Sequence, residues 1–330
     1  MHTSRTGYTA GRKKSGILSQ STPRRSHLIM ADSSSRFLSG QDLSKWQTVM
    51  NATQLTSWLQ MRDRPTLVMG ILNVTPDSFS DGGKFSQAEA ALDHAQKMAD
   101  EGADSIDIGA ESTRPGSQRV SDEEQLERLR PVFKSVRAKV DVVLSIDTTR
   151  ARVAAEALDC GIDVINDISA GRDDPELFAL AAQRGAPVIL MHMQGEPATM
   201  HHAPHYQNVT AEVIAFLEER IAAARSSGID ASKILIDPGI GFGKTVRHDL
   251  QLLRDLPQIS ALGHPVVVGT SRKSFIGKVT GESARSGRVF GTAATVAWAA
   301  ANQAGVVRVH DVEAMSQVVR MIRAIRMLGW

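Results

Sequence analysis

The chain has 330 residues, 42% hydrophobic and only 5% aromatic, which suits one large α/β domain, or two smaller ones, around an aliphatic core. Its single cysteine, Cys160, excludes an internal disulfide framework or a cysteine-based metal cluster and reads as a structural thiol of a reducing compartment. The net charge of +2 hides an asymmetry: residues 1–30 carry six Lys or Arg and no acid, so the remainder is at about −4 and lacks the broad basic face that nucleic acid requires.

The basic, Ser/Thr-rich head reads as a disordered leader to about residue 40. It has no signal-peptide apolar core; a transit peptide is the alternative, and Met30 begins an equally sensible chain. No apolar run approaches the ~18–20 residues of a membrane span, so no membrane partner is expected and the compartment is read as cytoplasmic. A short helix is expected near Leu43–Gln60, which gives an N-terminal extension of residues 1–60 and a folded domain of residues 61–330.

From Leu67 the chain alternates. Strands are expected at Leu67–Leu72, Ser105–Gly109, Val142–Ile146, Val164–Asn166, Pro187–Met191, Ile234–Asp237, Val266–Gly269 and Val306–Val309. Helical patterns lie between them: Gln87–Glu101, Asp122–Lys139, Ala151–Cys160, Pro175–Arg184, Val209–Ser226, His248–Leu256 and Val289–Gln303, with Val312–Leu328 last. Eight strand–helix units over about 260 residues predict a (β/α)₈ TIM barrel of the α/β class. A doubly wound open sheet is the alternative, but its G-x-G-x-x-G first turn is missing.

In such a barrel the strand ends form one ring. Read in order they are Asn73, Ala110-Glu111, Asp147, Asn166-Asp167, His192, Asp237, Thr270-Ser271 and His310. Alone, each is as well explained by helix capping or rim hydrogen bonding; together they describe a small-molecule site. Asp147, Asn166 and Asp237 suit a heterocycle that presents several N–H donors. Arg114, Lys273, Arg308 and His310 bring positive groups to the same rim, which suits a phosphate or pyrophosphate leaving group, although ordinary salt bridging is the plain alternative. GIGFGKT at Gly239–Thr245 misses the Walker spacing by one residue, because Pro238 stands where glycine is required. Its glycines instead let backbone approach a flat ligand, with Phe242 against the ring. The histidines near His192 lack zinc-protease spacing, and Met191, Met193 and Met200 read as pliable pocket walls.

The segments MGILNVTPDSFSDGG, GAESTRPG, SIDTTR, INDIS, LMHMQGEPATM, DPGIGFGK, GTSRKS and RVHDV, in this order between about Val68 and Val312, resemble the dihydropteroate synthases. The resemblance implies a homodimeric TIM barrel that condenses 6-hydroxymethyl-7,8-dihydropterin pyrophosphate with p-aminobenzoate, uses Mg²⁺, and is a sulfonamide target. It implies that Asp147, Asn166, Ile168, Met191, Asp237, Phe242 and Lys273 bind the pterin. It assigns Asn73, Arg114, Arg308 and His310 to the pyrophosphate, with Asn73 also at the metal. It assigns Phe79, Thr113, Arg114, Pro115, Lys273 and Ser274 to p-aminobenzoate, and Lys273, Arg308, His310 and Asp147 to catalysis. A corrinoid-dependent methyltransferase of the same barrel type would not need STRPG, SRKS and RVHD together, since no pyrophosphate leaves. A catalytically idle folate-like binding module would have lost one of these charged groups, and none is missing.

Overall fold

Each short Val/Ile/Leu run forms a parallel strand: β1 (Leu67–Asn73), β2 (Ser105–Gly109), β3 (Val143–Asp147), β4 (Val164–Asp167), β5 (Val188–Met191), β6 (Ile234–Asp237), β7 (Val267–Val268) and β8 (Val306–Val309). The helices are α1 (Ala52–Gln60), α2 (Lys84–Asp100), α3 (Asp122–Lys139), α4 (Ala151–Asp159), α5 (Glu176–Arg184), α6 (Val209–Ser226), α7 (Val246–Arg254), α8 (Leu256–Ser260), α9 (Ser274–Thr280), α10 (Val289–Ala301) and α11 (Val312–Leu328). The structure is a computed structural model and describes residues 50–75, 84–112, 117, 119–196, 199–200 and 202–328.

The strand order is β6-β5-β4-β3-β2-β1-β8-β7, each strand beside its neighbour in sequence. The two ends of the sheet meet through a parallel bridge between Ile236 and Val266, supported by the Ile236 N–H donating to the Pro265 carbonyl at 3.0 Å. The result is the expected (β/α)₈ barrel. A doubly wound sheet would reverse its order partway, and this one does not.

Most boundaries shift by one to three residues from the sequence reading, and three larger differences have local reasons. The helix expected at His248–Leu256 divides into α7 and α8, because Pro257 opens the second helix and cannot donate into the first. The seventh strand shrinks to two residues before the chain turns at Thr270. The helix expected near Leu43–Gln60 is seen as Ala52–Gln60, closed at its start by a reciprocal Asn51/Gln54 capping box; residues before 50 lie outside those described.

Alternation along the strands sorts the side chains into two layers. Leu67, Met69, Val143, Val164, Ile189, Leu235, Val267 and Val306 form one apolar cluster inside the barrel with Leu55, Trp58 and Leu59 of α1. Helix α1 therefore plugs the N-terminal mouth, and the Trp58 indole N–H donates to the Pro65 carbonyl at 2.8 Å. One or two steps further along β1, β3, β4, β6 and β8 the residues on this inner face turn polar, which places a hydrophilic layer above a dry floor, while β5 offers Met191 there.

Candidate active site

The upper layer opens into a cavity of about 300 Å³. Its lining includes Asn73 from β1, Asp147 from β3, Asn166 from β4, Met191 from β5, Asp237 from β6 and Arg308 from β8. The loops after the strands add Ile168, Phe242, Lys273, Ser274 and His310. Every sequence-assigned site residue among the described ones is thus brought to one cavity. Phe79, Thr113, Arg114 and Pro115 lie outside the described residues.

The ring of strand ends is not uniform. Asp167 faces outward, fully buried, and its carboxylate accepts from Ser169 N–H and Oγ and from Gly171 N–H; it shapes a turn rather than lining the cavity. His192 is buried behind the cavity, not in it. Asp147 is released from capping α4, as its position at the rim requires: the first helical amide, Ala151 N–H, is instead bound by Asp174 of the next unit at 2.8 Å.

Directly beneath the cavity lining lies a residue that the strand-end reading passed over. Asp107 is fully buried in the middle of β2 and points inward. It accepts from the Ser145 hydroxyl, from Asn166 Nδ2 at 2.9 Å and from Arg308 Nε at 2.6 Å. The Arg308 Nη2 donates to Asp147 at 2.7 Å. Arg308 is thereby fixed between two carboxylates using two of its five N–H donors. Burial opposes its charge, yet Asp107 and Asp147 outweigh burial and hold its pKa above the ordinary value. Asn166, anchored by its amide nitrogen, keeps its side-chain oxygen as an acceptor for a ligand. The available signal was an ionisable residue in an otherwise buried five-residue strand, SIDIG.

Burial pushes the Asp147 carboxyl up to about 7; Arg308 opposes that rise, while Asp107, Glu111 and Asp167 add to it. Asp237 is also raised by burial, against the pull of Lys273 and of the Gly239 N–H that donates to its Oδ1 at 2.6 Å. Lys273 donates to the Ile240 carbonyl, and its ammonium lies 4.6 Å from the centre of the Phe242 ring. Burial lowers it to about 8, opposed by Asp237 and Asp249. Ile168, Met191, Met193, Met200 and Phe242 form a separate apolar cluster beside these charges. At the other loops, the Ser271 hydroxyl accepts the His310 backbone N–H at 3.1 Å and faces its Nδ1 at 3.1 Å.

A flat apolar slot edged by carboxylates and an amide therefore adjoins a group of cations. Among the described residues no three His, Cys, Asp or Glu gather to hold a metal ion. Asn73 offers a single neutral oxygen ligand, which fits a Mg²⁺ held mainly by phosphate oxygens and water rather than by the protein.

Comparison with known proteins agrees with this geometry. A family profile described as "Pterin binding enzyme" matches residues 69–310. The dihydropteroate synthase of Synechocystis sp. is 48% identical over 260 residues, covering 79% of this chain and 90% of its own. That of Haemophilus influenzae is 44% identical over 257 residues, covering 78% and 93%. Among solved structures, Xanthomonas albilineans dihydropteroate synthase with 4-aminobenzoic acid superposes with a TM-score of 0.75 at 46% identity, covering 79% of this chain and 93% of that one. The same organism's enzyme in complex with 7,8-dihydropteroate gives 0.73 at 42% identity, covering 81% and 95%. The chain belongs to the pterin-binding enzymes and, among them, to the dihydropteroate synthase family.

Proposed function

We propose that the cavity joins 6-hydroxymethyl-7,8-dihydropterin pyrophosphate to p-aminobenzoate, giving 7,8-dihydropteroate and pyrophosphate. The observation that carries this reading is the joining of Asn166, Asp107, Arg308 and Asp147 in one hydrogen-bonded chain at the cavity wall, with Asp237 in the same cavity. Asp237 accepts from the 2-amino and N3–H edge of the pterin, and Asn166 and Asp147 meet its remaining polar atoms. Ile168, Met191 and Phe242 cover the ring faces, and Lys273 reaches the ring from the side. Arg308 and His310 receive the charge that develops on the departing pyrophosphate, and Arg114 is assigned to the same task. Asn73 would hold a Mg²⁺ carried by the pyrophosphate; such an ion neutralises leaving-group charge.

The C–O bond to pyrophosphate breaks as the arylamine nitrogen bonds to the same methylene carbon, and the nitrogen then releases one proton. An electron-rich ring carries positive charge as the leaving group departs, so the buried carboxylates stabilise the transition state. The amine needs orientation rather than a strong base. Ser274 and Lys273 would orient its carboxylate, with Thr113, Pro115 and Phe79 closing over the arene, the position at which a sulfonamide would compete.

A homodimer is part of the same reading. It is supported by exposed apolar side chains on two helices that pack together: Phe290 and Trp298 on α10, Met321 and Ile325 on α11. The test of the reaction is pyrophosphate release from the pterin substrate with Mg²⁺, with p-aminobenzoate present or omitted. Release that requires the arylamine and stops on adding EDTA supports the proposal. Release indifferent to p-aminobenzoate refutes it.

A further inference from the structure

Lys244 is buried behind the cavity at 4% exposure and does not line it. Its ammonium meets neutral acceptors, His192 Nδ1 at 3.0 Å and the Phe242 carbonyl at 2.9 Å. Among the described residues no carboxylate forms an ion pair with it. A buried ammonium held by neutral groups opposes folding, and a methionine of similar length would pack there at lower cost. Stability alone therefore does not explain a lysine at this position.

What it touches does. The Phe242 carbonyl belongs to the loop Pro238–Gly243, which carries Phe242 and follows directly on Asp237. The loop is pressed against the end of β5. A Cβ on Gly239 (φ +67°) would overlap the His192 carbonyl, and one on Gly243 (φ +61°) would overlap that of Gln194. Tyr206 Oη donates to the Gly243 carbonyl at 3.0 Å, and Asp249 of α7 accepts from Gly241 N–H at 2.6 Å. The Lys244 side chain reaches from the loop's far end to His192, whose backbone N–H donates to the Asp237 carbonyl at 2.9 Å. It thus clasps both ends of the loop. His192 can accept because burial, with Lys244 and Arg172, lowers it to about 2 and keeps its ring neutral.

We infer that Lys244 is a positioning residue for the pterin half of the reaction, holding Phe242 and Asp237 in their ring-binding arrangement through His192 and adding positive potential behind the Asp237 carboxylate. This rests on the assignment of the cavity to a pterin. Burial lowers the Lys244 ammonium to about 7; Asp249 on α7 and Asp237 on β6 oppose that fall, and Lys273 before α9 adds to it. Arg308 also acts on Asp237.

The experiment is calorimetric titration of the full chain with pterin-6-carboxylate from pH 5 to 9, for wild type, Lys244→Met and Lys244→Gln, with circular dichroism and Tm alongside. The KM for p-aminobenzoate is measured at saturating pterin substrate. Lys244→Met is expected to keep or raise Tm and to weaken ring binding at least ~10-fold at pH 7. Its acid limit of binding moves to higher pH, since Asp237 loses a supporting cation, while the p-aminobenzoate KM stays within ~2-fold. Lys244→Gln retains a donor for the Phe242 carbonyl and must show the same pH displacement with a smaller loss of affinity; it answers the question if the methionine variant does not fold. Wild-type affinity and an unmoved pH limit in a folded variant would overturn the inference alone. Failure of the wild type to bind pterin-6-carboxylate would overturn the cavity assignment and the inference with it.

Discussion

Replacing Asp107 tests the central network most directly. In Asp107→Asn the shape is kept but one of the two carboxylate oxygens becomes an N–H donor. The Ser145 hydroxyl can rotate away, whereas Asn166 Nδ2 and Arg308 Nε both point donors at Asp107 Oδ2 and cannot. At least one fixed donor then faces a weaker acceptor or another donor. Hydrogen bonds to charged groups contribute about 1.5–3 kcal/mol each, and the guanidinium bond at 2.6 Å is the stronger of the two. Arg308 keeps Asp147, so the full ~3–5 kcal/mol for breaking a buried ion pair is not expected. A loss of about 2–3 kcal/mol in transition-state stabilisation corresponds to a ~30- to 150-fold fall in kcat/KM. The assay is steady-state pyrophosphate release with each substrate varied in turn, with circular dichroism to confirm the fold. The loss should appear in kcat/KM for the pterin substrate, with the KM for p-aminobenzoate within ~3-fold. A folded Asp107→Asn variant within ~3-fold of wild type in both parameters would refute the reasoning: Arg308 and Asn166 would then be held well enough by their other contacts.

The kcat/KM for the pterin substrate should trace a bell against pH: it falls as pH drops below about 7, where the network holding Asp147 gains a proton, and falls again above about 8, where Lys273 loses one. A flat profile between pH 6 and 9 would contradict both assignments. Light scattering should give the mass of a dimer, and Phe290→Glu should shift it toward the monomer by burying a charge in that contact; a monomeric wild type would refute the dimer.

The barrel was readable because a parallel strand buried on both faces has a plain signature. Short runs such as VILM (Val188–Met191) and ILID (Ile234–Asp237) sit between turn residues at regular intervals. Punctuation was harder to read. Pro257 was visible, but whether it ends one helix or opens another depends on the packing of α8, where Leu256 and Ile259 are buried. Helix α9 has only seven residues and a first turn without a side-chain cap, so little in the sequence marks it. Asp174 capping α4 from a later unit joins residues 23 positions apart, which no local pattern can announce.

The site was only half readable for a geometric reason that bears on barrels generally. A residue at a strand end is noticed because it interrupts an apolar run, and Asn73, Asp147 and Asp237 were found in this way. Side chains on the inner face recur every second residue, so the layer directly below the rim comes from positions two residues earlier. There the flanking residues are still apolar, and the polar member looks like an isolated flaw: Asp107 between Ile106 and Ile108, Ser145 between Leu144 and Ile146; Arg308, between Val307 and Val309, was noticed only because His310 and Asp311 follow it. Parallel register brings these together. Asp107 pairs with Ser145 across β2 and β3, and β1 lies between β2 and β8, so Arg308 crosses the barrel interior to reach Asp107. The rim residues would meet a ligand, but the layer beneath decides where Asn166 and Arg308 point. Substitutions two residues inside a strand should therefore disturb catalysis as much as those at its end, while Asp167, a strand-end acid on the outer face, should act mainly on the fold, through the turn at Ser169–Gly171.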